Sequence, residues 1–328
     1  MKKLVTKTRL AFIFHKENFF LNGKHFDNTY YNFFIKALNR NPNLETVFFP
    51  TDDIFDFKGI KDSFDAVLLW ENSEFGMPKK IINIENNKIP IISRTGDPSR
   101  AKKSKILHHK WKIDYYFDFF SEKFFHELYP KEFKYKKIFF GLESQLYEKV
   151  MPFNERKKDK ILNSGNIGNT KFISRIINDL RNPKWNNYRC KVLRTKCCSL
   201  DFVEYSSTLS HDYVNDNYVK LLEKYQSAIA ADSYTPVQKY WEIPAAGCLT
   251  FMEITEKNDG WHTGFKDNVN CVIINESNYI QKFKEFLNSQ DDPKWREIAE
   301  EGRRFALKNF NNDKAVNELI HLVEEIKK

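Results

Sequence analysis

The segment Lys239-Tyr240-Trp241-Glu242-Ile243-Pro244-Ala245-Ala246-Gly247 sets a cation and a carboxylate three residues apart, ahead of small residues and an apolar run at 248–251. Small residues let a short helix pack closely on a sheet, and a helix start offers unpaired N–H groups and positive dipole charge to a phosphate. Glu242, expected to open that helix, can accept hydrogen bonds from ribose hydroxyls. Lys239, Tyr240, Ala246 and Gly247 would surround it. This is the chemistry of a nucleotide-sugar site, although small residues before a buried strand also occur in any α/β sheet.

A second segment repeats the phosphate logic. Ser164-Gly165-Asn166-Ile167-Gly168-Asn169-Thr170-Lys171 follows an apolar run and precedes a helical one. Gly165 and Gly168 permit close backbone approach there, and Asn166 lies between them. Lys171 and Arg175 fall one helical turn apart, as a diphosphate clamp would require. The spacing is not GxGxxG, and no acidic residue about twenty positions later closes a second strand, which argues against a dinucleotide. Arg194 and His211 are further candidates for the same donor pocket.

Transfer to an acceptor hydroxyl asks for a general base if the reacting carbon inverts. Asp97, in Arg94-Thr95-Gly96-Asp97-Pro98, is the first candidate, although an aspartate before proline is also an ordinary turn residue. His15, at the end of the first apolar run, and His109, paired with His108 in a basic stretch, are the others.

These residues need a scaffold, and 328 residues suffice for two domains. With 41% apolar and 30% charged residues the chain reads as globular and water-soluble. No apolar run approaches the roughly twenty residues of a membrane span, and Met1-Lys2-Lys3 is not followed by a signal-length apolar core. A cytoplasmic protein is expected. Five cysteines without a CxxC pair point to reduced thiols, and no metal or other cofactor is expected. The formal charge of +9 is spread along the chain; it suits a phosphorylated donor, or peripheral association with anionic lipid, better than nucleic acid.

Apolar runs at 9–14, 46–49, 65–70, 89–93, 115–119 and 138–140 alternate with helical stretches at 28–38, 78–85 and 121–128, the rhythm of a parallel sheet. A charged stretch, Asn154-Glu155-Arg156-Lys157-Lys158-Asp159-Lys160, then precedes a second alternation. It predicts strands at 161–163, 190–193, 227–230, 248–251 and 272–274, with helices at 171–180, 215–225, 237–246, 292–309 and 313–327. The expected domains are 1–152 and 153–328.

The order Ile138-Phe139-Phe140-Gly141-Leu142-Glu143, Ile161-Leu162-Asn163-Ser164-Gly165-Asn166, Lys239 through Gly247, and Gly264-Phe265-Lys266-Asp267-Asn268-Val269 resembles the GT-B glycosyltransferases, specifically a CgeB-like group with a family-four-like C-terminal domain. The resemblance covers residues 138–310. It implies an α/β fold of two Rossmann-like domains facing across a cleft, the N-terminal one for a glycan or lipid-linked acceptor and the C-terminal one for the nucleotide-sugar donor, with the final helix crossing back to the N-terminal domain. It also implies metal-independent transfer, retention slightly favoured, with Glu242 on the donor ribose and Lys171 on the diphosphate. Two positions depart from the pattern: Asn166 stands where an arginine is common, and Tyr234 replaces the first acid of the E-x7-E pair. Arg175 or Arg194 would then supply the missing charge. A non-catalytic scaffold subunit or a GT-B epimerase would share the same fold.

Overall fold

Parallel sheets are covered on both faces, so their strands read as continuous apolar runs, and those runs form the two larger sheets described here, beside a small pairing of Ile54–Asp56 with Lys80–Ile82. A computed structural model describes residues 7–16, 30–60, 63–71, 77–98, 101–168, 171–181, 188–207 and 217–327. The first unit, 1–141 with 311–328, contains β1 (Thr8–His15), α1 (Tyr30–Arg40), β2 (Leu44–Thr51), β3 (Ile54–Asp56), β4 (Ala66–Leu69), β5 (Lys80–Ile82), β6 (Ile91–Arg94), α2 (Ala101–Lys110), β7 (Tyr115–Asp118), α3 (Glu122–Leu128) and β8 (Lys134–Lys137). Six strands form one sheet in the order β2-β1-β4-β6-β7-β8, every pairing parallel. All four residues of β4 and of β6 are buried. Helix α3 starts where Ser121 accepts a hydrogen bond from the Phe124 N–H at 3.1 Å, the capping that its sequence anticipates.

The second unit, 142–310, contains β9 (Lys157–Ser164), α4 (Phe172–Arg181), α5 (Val192–Cys197), β10 (Val203–Ser206), α6 (Tyr218–Leu222), β11 (Tyr225–Ala230), α7 (Lys239–Ala245), β12 (Leu249–Glu253), β13 (Val272–Ile274), α8 (Tyr279–Asn288) and α9 (Pro293–Asn309). Its parallel sheet runs β10-β9-β11-β12-β13, with β11 and β12 buried throughout. Helix α9 lies so close to the sheet edge that a Cβ on Gly302 would stand 2.5 Å from the Asn270 carbonyl oxygen. Only glycine allows that approach.

The last helix, α10 (Asn312–Ile326), belongs to the first unit. Arg40 clamps Asp313 through Nε at 2.7 Å and a second nitrogen at 3.0 Å, and the buried Asn312 accepts from the Gly141 N–H at 2.7 Å. The second unit therefore begins at Leu142, and the charged stretch 154–160 lies inside it.

Helix α2 and strand β10 are not expected from the sequence, and three expected elements take another form. Residues 78–85 form β5 and a turn of 3-10 helix rather than an α-helix, because Asn83 has a left-handed backbone (φ 59°) that ends any helix there. Residues 190–193 are not a strand: Cys190, Leu193, Arg194 and Cys197 are buried at helical spacing, leading into and along α5. The strand expected at 138–140 ends instead at Lys137, and Ile138 continues only by one bond from its N–H to Asp118 at 2.9 Å.

Candidate functional site

In an open parallel sheet, ligands bind beyond the carboxyl ends of the strands where consecutive connections leave in opposite directions. In the second unit that point lies between β9 and β11, since the chain passes from β9 to β10 on one side and then to β11 on the other. Ser164 ends β9, and Ala231-Asp232 follows β11. Lys239, the first residue of α7, reaches across so that its ammonium donates to the Ser164 carbonyl and to Ser164 Oγ, the latter at 3.3 Å. Tyr218 shares a hydrogen bond with Ser164 Oγ at 2.6 Å, and its ring lies 6.0 Å from the Lys239 ammonium. Arg194 is buried, donating to the Asn166 carbonyl at 2.9 Å and to the Ala231 carbonyl. Its Nε and the Glu253 Oε2 are buried polar atoms without a partner among the described residues. Unpaired buried polar atoms are costly, and such atoms at a switch point fit a site awaiting a polar ligand.

The charges here are strained. Burial holds the Lys239 ammonium well below the usual lysine range, and the Arg194 charge pushes the same way. Burial raises the Glu242 carboxyl to about 7, with the Lys239 charge opposing it. Glu253, at the end of β12, is likewise raised to about 7 by burial and by the neighbouring Asp232. Because the Glu242 pKa is raised on folding, its contribution to stability is full below the ordinary carboxylate range and is lost as pH rises through about 7. A ribose-binding carboxylate must be ionised, so ligand affinity should move the opposite way. We expect nucleotide affinity to fall about tenfold per pH unit below about 7, and Glu242→Gln to flatten that profile. Calorimetric titration between pH 5.5 and 8 checks both.

The start of α7 does not offer the N–H groups that the sequence suggests. The Tyr240 N–H is taken by the Val237 carbonyl at 2.8 Å, and those of Trp241 and Glu242 by the Gln238 carbonyl at 3.0 and 2.9 Å. Glu242 is the fourth residue of the helix rather than its opening residue, and its side chain is half-buried. Tyr240 is buried, its hydroxyl accepting from the Asp232 N–H at 3.0 Å and donating to the Glu253 carbonyl at 2.8 Å. Ala246 is buried, and Gly247 takes a left-handed backbone (φ 77°) that ends α7.

The remaining donor candidates separate. Gly165 (φ 89°) makes the turn out of β9, and Asn166 lends its carbonyl to Arg194. Lys171 is exposed at the head of α4, and the Arg175 guanidinium lies 3.7 Å above the Tyr188 ring. Arg194, rather than Lys171 or Arg175, stands beside Lys239 at the switch point, with Lys191 also within electrostatic reach. His211 lies outside the described residues. The Ser164 side chain, Tyr218, Asp232 and Glu253 belong to this site without being among the candidate residues above. An acid directly after a buried run, as in Ala230-Ala231-Asp232 and Phe251-Met252-Glu253, is the signal that could have found two of them.

In the first unit the equivalent switch point lies between β1 and β4. His15 ends β1 and pairs with Asp53 at 3.3 Å, which also meets Lys79 at 2.8 Å. Glu71 follows β4 and meets the buried Arg94 at 2.9 Å; Arg94 also meets Asp118 at 3.3 Å, and the Thr95 hydroxyl donates to Asp118 at 2.6 Å. Burial pushes the Asp118 carboxyl up to about 6 against the pull of Arg94. Asp97 is exposed three residues beyond the end of β6, on the same carboxyl-terminal side. His109 is exposed near the end of α2, just before β7 begins, which is the opposite edge of the sheet. Its neighbour His108 stacks on Phe133 at 3.6 Å, and burial pushes that ring down to about 4.

Residues 185–321 match a family described as glycosyl transferase-like. No curated protein matches the sequence. Among solved structures the chain is similar to Anabaena HepE in complex with UDP-glucose (11% identity, TM-score 0.55, covering 97% of this chain and 99% of that one). It is also similar to sucrose-phosphate synthase from Thermosynechococcus elongatus (10%, TM-score 0.59, 98% and 99%). A third is an alpha-glucosyltransferase in complex with UDP-glucose and DNA containing an abasic site (8%, TM-score 0.53, 97% and 100%). The fold is GT-B, two Rossmann-like units. No helix among the described residues is long and apolar enough to cross a membrane.

Proposed function

We propose that this chain, which carries the glycosyl transferase-like family over residues 185–321, transfers a sugar from a nucleotide donor bound at the switch point of its second unit. The observation that carries this reading is the meeting of Lys239, Ser164, Tyr218 and Arg194 between β9 and β11, beside the half-buried Glu242. Glu242 accepts from the ribose hydroxyls. Arg194 and Lys239 face the diphosphate, where two desolvated cations stabilise the negative charge that builds as the sugar leaves, so the reaction calls for no metal. This assignment gives Arg194 the role that the sequence pattern leaves open at Asn166. HepE, a neighbour in fold, binds UDP-glucose, which supports a nucleotide-sugar donor of that class.

The acceptor, a glycan or lipid-linked saccharide, is assigned to the switch point of the first unit, with His15 and Asp97 on its carboxyl-terminal side as the groups able to take or orient a hydroxyl proton. Retention is slightly favoured by family resemblance. Work on a polysaccharide from the cytoplasmic side fits these assignments.

Incubating the full chain with UDP-, GDP-, ADP- and CMP-sugars and measuring nucleotide release tests the proposal. Release from one donor, slow in water and faster with a saccharide acceptor, is the expected result. Binding of a nucleotide with no release from any of its sugars would instead mark a scaffold that keeps the fold without turnover.

A further inference from the structure

Helix α4 is amphipathic, yet its apolar side faces solvent. Phe172 and Ile173 are each 72% exposed, Leu180 79%, Ile176 45% and Ile177 42%. At about 100° per residue they form one continuous stripe. The opposite side, Ser174, Arg175, Asn178 and Asp179, is only half-buried or better and is the side that holds the helix: Arg175 lies on the Tyr188 ring, and Asp179 pairs with Arg189 at 3.0 Å. A helix of a globular protein ordinarily does the reverse, and a contiguous exposed apolar stripe marks a surface built to be covered.

The charge around it indicates what covers it. Lys171 is exposed at the head of the helix, and between Lys171 and Lys191 the sequence carries six Lys and Arg residues against a single acidic one, Asp179. An apolar stripe within a strongly basic segment complements a surface that is apolar inside and negative outside. We propose that α4 seats the second unit on an anionic lipid bilayer, its five apolar side chains entering the acyl boundary while the surrounding basic residues meet the headgroups. The helix is too short to span the membrane, at roughly 15 Å for ten residues, and lies in the interface instead. This inference is independent of the sugar-transfer reading, because neither the stripe nor its binding involves Glu242, Lys239 or Arg194.

Flotation of the full chain with phosphatidylcholine vesicles, with and without phosphatidylglycerol, tests it. Binding to the anionic vesicles is expected, at least about tenfold stronger than to neutral ones and weakened by salt. The Ile173→Ser/Leu180→Ser variant should lose about tenfold or more of that binding, with its melting temperature unchanged because both side chains are already exposed. Equal binding by variant and wild type would overturn the proposal, as would equal binding to both vesicle types or none to either. Sedimentation showing a dimer that the same variant dissociates, in a chain that ignores vesicles, would assign the stripe to a second copy and equally overturn it.

Discussion

Glu242→Ala is expected to lower turnover of the preferred nucleotide sugar by about a hundredfold or more while leaving the protein as stable as before, or more so. A carboxylate that accepts from two ribose hydroxyls makes two charge-assisted hydrogen bonds, each about 1.5–3 kcal/mol, and alanine removes both. The same carboxylate is a burden to the empty protein, since burial raises its pKa to about 7 and its nearest opposing charge, Lys239, is itself held below the ordinary range. Removing a strained site residue commonly relieves stability at the expense of function. Initial rates and a thermal melt on the same preparation separate the two effects. A rate loss accompanied by a large fall in melting temperature would make Glu242 a structural residue.

Arg94→Met is expected to have the largest effect on stability, about 3–5 kcal/mol, or on the order of 10 °C in melting temperature. Arg94 contacts two buried carboxylates, Glu71 at 2.9 Å and Asp118 at 3.3 Å, and its guanidinium also lies 5.4 Å from the Trp70 ring. Without it two acids remain buried against each other at the carboxyl ends of β4 and β7. Replacing Glu71 and Asp118 by leucine together with Arg94→Met should restore much of the loss, because a buried ion cluster costs nearly as much desolvation as it returns in attraction. Thermal or urea unfolding of the two variants measures this. Equal stability of Arg94→Met and wild type would show that the cluster does not hold the three strand ends together.

The sheets were legible because their signal is local. The apolar runs at 65–70 and 227–230 were enough to place β4 and the end of β11, and Ser121 announces α3 by its own chemistry. What the sequence obscured depends on partners far along the chain. Arg194 looked like the residue after a strand because Cys190, Val192 and Leu193 are apolar, whereas the repeat Cys190, Leu193, Arg194, Cys197 is helical and directs the guanidinium to Asn166 and Ala231. Lys239 could be placed on a helix from its neighbours, but its bond to Ser164 spans 75 residues and follows only from the strand order β9-β11. Arg175 shows the converse: one turn from Lys171 in sequence, it is captured by the Tyr188 ring instead. The Arg94 cluster joins residues 71, 94 and 118, each unremarkable alone.

The central claim is that the switch point between β9 and β11 holds a nucleoside diphosphate through Glu242 and Arg194. Calorimetric titration of UDP, GDP, ADP and CDP into the full chain, the Glu242→Ala variant and an Arg194→Gln variant tests it most directly. Saturable binding of one nucleotide to the wild type, weakened at least about tenfold in each variant that still melts cooperatively, is the result expected from losing a charged contact. Unchanged nucleotide affinity in both folded variants would contradict the assignment and place the donor elsewhere.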